Sequence, residues 1–178
     1  MNKDLQIAKK TVQTEIIALK KLLSSFSKSQ NFSKAVSAIS KLKGKCIVVG
    51  VGKSYLVGLK IAATLSSLGT PSFACSANDL QHGGLGVIQK NNDALLILSV
   101  SGESSELNSI LRFANRHNIN TIGVSCKPSS MLLRFSKIKI LLPKVIESGS
   151  SLAPTSSSIL LTSWGHALSI ALMKRKNF

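Results

Sequence analysis

Acidic residues are scarce in this chain: 7 Asp+Glu stand against 23 Lys+Arg in 178 residues, a formal charge of +16. An excess of that size suits nucleic acid, an anionic membrane surface or small anionic ligands, and where the charges fall must decide among them. Aromatic residues are also few, 4% with one Trp and one Tyr. That leaves the stacking platforms on which single-stranded nucleic-acid binders depend nearly absent and weakens that reading. The three cysteines, Cys46, Cys75 and Cys126, are far apart and form no CxxC pair, so they read as free thiols in a reducing compartment. No apolar run approaches the ~18 residues of a membrane span, and the charged start MNKDLQIAKK lacks the apolar core of a signal peptide. A cytoplasmic protein with no membrane partner is expected. What the chain does have is 44% hydrophobic residues and a mean hydropathy of +0.24, enough to bury a large core in one domain.

Apolar positions recur at helical spacing over residues 5–28, with lysines between them, which predicts an amphipathic helix whose long stripe needs a partner. A second helix is expected over 32–42, with Ser33 as its N-cap and Gly44 ending it. Residues 1–42 thus read as N-terminal helices and 43–178 as the core. Short β-branched or apolar runs at 46–51, 72–75, 93–100, 121–125 and 136–142 read as strands, the first and third covered on both faces. Helices are predicted at 53–68, 104–117 and from Pro154 to about 174, and residues 77–87 form the only long loop with glycine. Strands alternating with helices imply parallel βαβ units in a doubly wound sheet, whose ligands bind outside the carboxyl ends of the strands.

Three segments at such strand ends have chemical potential. Gly50-Val51-Gly52-Lys53-Ser54 leaves the first strand and opens a helix. It matches neither phosphate-loop pattern, because Ile47 stands where a Walker glycine belongs and Tyr55 where the third dinucleotide glycine belongs. Glycines, helix N-terminal amides and the Lys53 charge still suit an anion, while a tight turn with an exposed lysine explains the segment equally well. Ser99-Val100-Ser101-Gly102-Glu103-Ser104-Ser105-Glu106 offers hydroxyls to phosphate oxygens. N-capping by Ser101 or Ser104 accounts for one serine and leaves the others over. Residues 147–158 (ESGSSLAPTSSS) place Glu147 and a hydroxyl cluster before the last helix, where Pro154 near N1 would suffice structurally. Three of the seven acids, Glu103, Glu106 and Glu147, lie in these segments, a placement that suggests general acid/base work on a bound anion. His82 becomes a proton carrier only if its loop folds over the site; His117 and His166 read as structural, and no histidine pair has metal-ligand spacing.

The ordered motifs GVGKS, GTPSF, HGGLG, SVSGESSE and LAPTSSS resemble the sugar isomerase (SIS) domain over roughly residues 40–175, and more narrowly the arabinose-5-phosphate isomerases. The resemblance implies a five-stranded parallel sheet in a three-layer α/β/α sandwich, flavodoxin-like, with active sites shared in a homo-oligomer, usually a tetramer. It implies interconversion of D-ribulose 5-phosphate and D-arabinose 5-phosphate through an enediol(ate), without cofactor or metal, feeding synthesis of the lipopolysaccharide sugar Kdo. Lys53, Glu106 and Glu147 match the catalytic set, with Glu147 or Glu106 as base. Gly52, Ser54, Ser99, Ser101, Gly102, Glu103, Ser104, Ser105, Thr155, Ser156 and Ser157 match the sugar-phosphate binding set. The chain departs from the family at Gly84, Tyr55 and His166, and in Ser148-Gly149-Ser150-Ser151, which replaces a Cys-Pro-Leu stretch. The family's paired CBS domains, and the histidine beyond its last helix, have no match before Phe178. With His82 as the stand-in, the expectation is a slow isomerase. The alternatives are an isomerase of another ketose phosphate or a sugar-phosphate-binding module without catalysis. A nucleic-acid partner has only the charge in its favour.

Overall fold

The computed structural model describes residues 2–27, 30–149 and 153–178. Five strands, β1 (Cys46–Gly50), β2 (Ser72–Ser76), β3 (Ala94–Leu98), β4 (Asn120–Ser125) and β5 (Ile138–Leu141), form one sheet in the order β2-β1-β3-β4-β5. Every neighbouring pair is parallel. β1 and β3 are buried at every position, as uninterrupted apolar runs should be when both faces are covered.

Alternation along these strands divides the interior into two layers. Cys46, Val48, Leu96 and Leu98 point into a core shared with α1 (Lys3–Phe26), α2 (Gln30–Ser40), α3 (Lys53–Ser67) and α7 (Ser156–Lys176). Ile47, Val49, Leu95 and Ile97 face α4 (Ala77–Gln81), α5 (Leu107–Arg116) and α6 (Met131–Phe135). The expected three-layer sandwich is therefore present. α3 and α7 approach closely at Gly165, where a Cβ would lie 2.4 Å from Ile61 Cδ1. The few aromatics concentrate beside them: Phe32 packs edge-on against Phe26 and Trp164, with centroids 5.1 and 6.2 Å away.

Several expectations need correction. The loop at 77–87 is not irregular: α4 and a 3-10 turn, Gly84–Val87, occupy most of it. α6 has no counterpart in the sequence pattern, because five residues carry no periodicity. α2 starts at Gln30, which puts Ser33 inside the helix and not at its cap. α5 starts at Leu107 after Glu106, so neither Ser101 nor Ser104 caps it. α7 starts at Ser156 after Thr155, leaving Pro154 outside the helix. The expected end of the first helix at Lys28, and Ser150, Ser151 and Leu152 of the third segment, lie outside the described residues. On α1 only Ala18 and Leu22 are buried; Leu5, Ile7, Val12, Ile16, Ile17 and Leu23 remain exposed in the single chain.

Candidate functional site

In a sheet of this order, the chain leaves β1 and β3 in opposite directions, and a crevice opens between their carboxyl ends. On the β1 side, Gly52 has φ +52° and opens α3 with no side-chain cap. An added Cβ there would meet nothing within 4 Å, so the glycine serves the left-handed backbone and not a tight fit. Lys53 begins the helix, is exposed, and makes no hydrogen bond or ion pair among the described residues; Ser54 follows it, partly buried.

On the β3 side the serines build their own loop. Ser99, buried, accepts from the Gly102 amide at 3.0 Å and lies 3.4 Å from the Ser104 hydroxyl. Ser101 accepts from the Glu103 amide at 3.3 Å, and Ser105 donates to Glu106 at 3.3 Å. Gly102 has φ +65°, and a Cβ on it would lie 2.5 Å from Ser130 Oγ, so this loop sits directly on the one after β4. Glu103 is drawn to that neighbour as well: it pairs with Lys127 at 2.9 Å and accepts from the Met131 amide at 3.4 Å. The Lys127 hydrogen bond holds the Glu103 carboxyl below its usual pKa. His82 ends α4 and is exposed, while the adjacent Gln81, which sequence reasoning missed, donates from its side chain to the Glu106 carbonyl. The His82 loop is thereby attached to the serine loop.

The third segment is the most tightly organised. One oxygen of Glu147, Oε2, accepts from the Thr155 amide at 2.7 Å, the Thr155 hydroxyl at 3.1 Å and the Ser157 amide at 3.3 Å. Thr155 Oγ1 in turn accepts from the Ser148 amide at 2.9 Å. Glu147 thus caps α7 from eight residues upstream, and a carboxylate at a helix N-terminus is electrostatically favoured. Burial alone would raise its pKa, but the Ser157 hydroxyl and the donors from Thr155 and Ser157 outweigh it and hold the carboxyl below its ordinary value. The Ser157 hydroxyl contributes through proximity, since it lies outside good hydrogen-bond geometry. Oε1 accepts no hydrogen bond among the described residues, so an ionised, half-engaged carboxylate remains available to take a proton.

Around this knot, the hydroxyls of Ser148, Ser156 and Ser157 are buried without a hydrogen-bond partner among the described residues. Buried polar groups are nearly always satisfied, so three orphans beside one carboxylate mark a place built for something else. A cleft of about 470 Å³ reaches Ser157 and is lined by Val100, Cys126, Lys127, Pro128, Lys144, Val145, Glu147 and Ser157. Its β4-end residues were also missed, although the strand-end rule points to them as directly as to the serine loops. Burial, and then the Glu147 charge, push the Cys126 thiol up to about 11, so it is neutral at ordinary pH. No group of three or more His, Cys, Asp or Glu among the described residues could hold a metal ion.

The SIS domain family model matches residues 38–171. Among curated relatives, the chain is 38% identical over 182 residues to the arabinose 5-phosphate isomerase KdsD of Francisella tularensis, covering 100% of this chain and 55% of that protein. It is 37% identical over 172 residues to the protein of the same name from Pseudomonas aeruginosa, covering 96% and 52%. The chain therefore spans about half the length of the curated relatives it matches. Among solved structures, E. coli CFT073 c3406 in complex with arabinose 5-phosphate superposes with a TM-score of 0.92 at 28% identity, covering 100% of this chain and 95% of that one. With the family matched from the last turns of α2 to the last turns of α7, and the sheet order and strand-end loops in place, this chain belongs to the SIS domain family.

Proposed function

We propose that the protein is a phosphosugar aldose–ketose isomerase that interconverts D-ribulose 5-phosphate and D-arabinose 5-phosphate. Glu147 is the observation that carries this reading: an ionised carboxylate with one oxygen engaged, the other open, and orphaned buried hydroxyls beside it. The relatives named arabinose 5-phosphate isomerase support the choice of substrate. In this mechanism Ser99, Ser101, Gly102, Ser104 and Ser105, with the start of α5, receive the phosphate. Glu147 removes the proton beside the carbonyl, an enediol(ate) forms, and the proton returns to the neighbouring carbon. Lys53 offsets the negative charge that develops on oxygen, and Glu106 and His82 relay protons to the sugar hydroxyls. No cofactor takes part. The exposed apolar stripe of α1 supports self-association, with a tetramer as the working state. A cytoplasmic place in Kdo synthesis follows from the same substrate.

A second reading, a sugar-phosphate-binding module without turnover, is favoured by one feature: among the described residues no histidine lines the cleft beside Glu147. A discontinuous assay separates the two. Ribulose 5-phosphate is incubated with the full chain, and arabinose 5-phosphate is identified as product by chromatography. Conversion that disappears in Glu147→Gln supports the isomerase; binding of the sugar phosphate with no conversion in the wild type supports the module.

A further inference from the structure

The outer face of α5 and α6, on the side of the sheet away from α1 and α7, takes no part in the proposed catalysis. Residues 107–146 hold seven basic residues and no acid, a steeper imbalance than that of the whole chain. Three of the chain's four arginines, Arg112, Arg116 and Arg134, lie on these two helices. Arg112, Asn115 and Arg116 fall at i, i+3 and i+4 and form one exposed face of α5. Asn115 Nδ2 donates to the Phe135 carbonyl at 3.0 Å and so holds the end of α6 against that face. Phe135 itself is 52% exposed, a large apolar ring left open beside the arginines.

Ordinary roles account for only part of this. Arg116 and Arg134 stand in the last turns of their helices, where a cation suits the dipole. Arg134 also helps hold the Glu103 carboxyl ionised, although Glu103 is already bonded to Lys127. Neither role applies to Arg112 or explains the open ring of Phe135. Arg112 and Arg116 make no hydrogen bond or ion pair among the described residues. Planar guanidinium groups suit carboxylates, and an aromatic ring with arginines around it is the composition found at the centre of protein–protein contacts. A second copy of this chain is a poor source of the counter-charge, because each copy carries +16. One aromatic ring offers one stacking position, where single-stranded nucleic acid needs a succession of them.

We propose that this face is a docking surface for an acidic polypeptide segment of another protein. Arg112, Arg116 and Arg134 pair with its carboxylates, and Phe135 packs against an apolar side chain set between them. The surface is independent of the isomerase reading, since none of these four residues belongs to the strand-end segments.

The probe is a short fluorescein-labelled peptide of glutamates flanking a central Phe-Leu pair. Its binding to the full chain is read by fluorescence anisotropy at physiological ionic strength, where exposed charges more than about 8 Å apart are largely screened. Affinity should fall at least about tenfold in Arg112→Ala/Arg116→Ala/Arg134→Ala. Lys34→Ala/Lys41→Ala/Lys43→Ala removes the same charge from exposed lysines on the other side of the sheet and should cost less than about twofold. Phe135→Ser should weaken binding about fivefold, and that loss should persist at high salt, because an apolar contact is not screened. Arg112→Lys/Arg116→Lys/Arg134→Lys keeps every charge and should still bind roughly threefold more weakly than the wild type, because the planar fork is gone. Equal losses in the two alanine triples, at unchanged melting temperature, would reduce the attraction to net charge and overturn the docking surface. If the arginine-to-alanine triple melts lower, the lysine triple decides, and wild-type affinity in it overturns the role of the guanidinium groups. Failure of the wild type to bind the peptide also sinks the proposal. Displacement of the peptide by an oligo-dT of equal length, whose own binding depends on the same arginines, would make the surface one for nucleic acid instead.

Discussion

Asp93 and Glu147 are carboxylates withdrawn from water at opposite poles of the same sheet, and the fold satisfies them in different ways. Asp93 precedes β3 at the amino-terminal edge. Its Oδ1 accepts from the Lys45 amide, and its Oδ2 from the Lys45 ammonium and the Gln89 amide, each at 2.8 Å. Both oxygens are used, and the ammonium and two amides overcome the burial that would otherwise raise its pKa. Glu147, at the carboxyl-terminal edge, has among the described residues three donors on one oxygen, none on the other, and orphaned hydroxyls alongside. A complete set of partners is what a structural carboxylate needs; an incomplete set, kept in a cleft, has stability cost without structural return and points to a ligand.

The largest effect that can break this contrast is on turnover. Glu147→Gln keeps an acceptor for the Thr155 and Ser157 amides but removes the proposed base, so turnover in the sugar-phosphate assay should fall about 10²–10⁴-fold while the melting temperature changes little. Full turnover in that variant would place both carboxylates in one structural class. Asp93→Ala should show the opposite profile. Leaving Lys45 without its buried partner costs about 3 kcal/mol, measured by urea unfolding, while the folded fraction keeps its turnover number. Ser157→Ala sharpens the contrast through its signs. Affinity for arabinose 5-phosphate, measured by calorimetry, should drop up to about tenfold, and stability should change little, because removing a buried hydroxyl without a well-formed hydrogen bond offsets the loss of its help to the Glu147 carboxylate. A joint loss of affinity and stability would count against the orphan's role in binding.

The smallest effect is on the acid limb of stability. Both carboxyls have folded pKa values below their unfolded values near 4, so each stabilises the fold fully above about pH 4 and loses that contribution as pH falls through the lowered folded values. Asp93→Asn should make the slope below pH 4 shallower by up to about 1.4 kcal/mol per pH unit. An unchanged slope, read by denaturant melts between pH 2 and 5, would mean that Asp93 does not govern it.

Much of this arrangement is legible in the chain as written. The runs CIVVG and ALLIL are apolar at every position and could only be strands covered on both sides, and GVGKS and SVSGESSE follow them directly. The short elements α4 and α6 are not legible, because five residues do not complete enough turns to show a period. The serine loop is open to two readings in sequence, and it resolves differently from the capping expectation: Ser99 and Ser101 hold the loop's own amides, and α5 begins later. Glu103 looks equivalent to Glu106 and Glu147 by scarcity alone. Its bond to Lys127 depends on the parallel neighbour β4, a relation that no local pattern carries.

By itself the sequence determined the alternation of strands and helices, the sheet class and the positions of its three chemical segments, because hydrophobic period and turn residues act over a few neighbours. It also held the shortage of acids that singled out Glu103, Glu106 and Glu147 together. Only the tertiary structure decided what each acid does. Sheet order set the Gly102 loop against Ser130, drew Glu103 to Lys127, and folded Glu147 back onto the start of α7. The cleft with Cys126 in its wall arose in the same way, from strand ends far apart in sequence that parallel pairing brings to one edge.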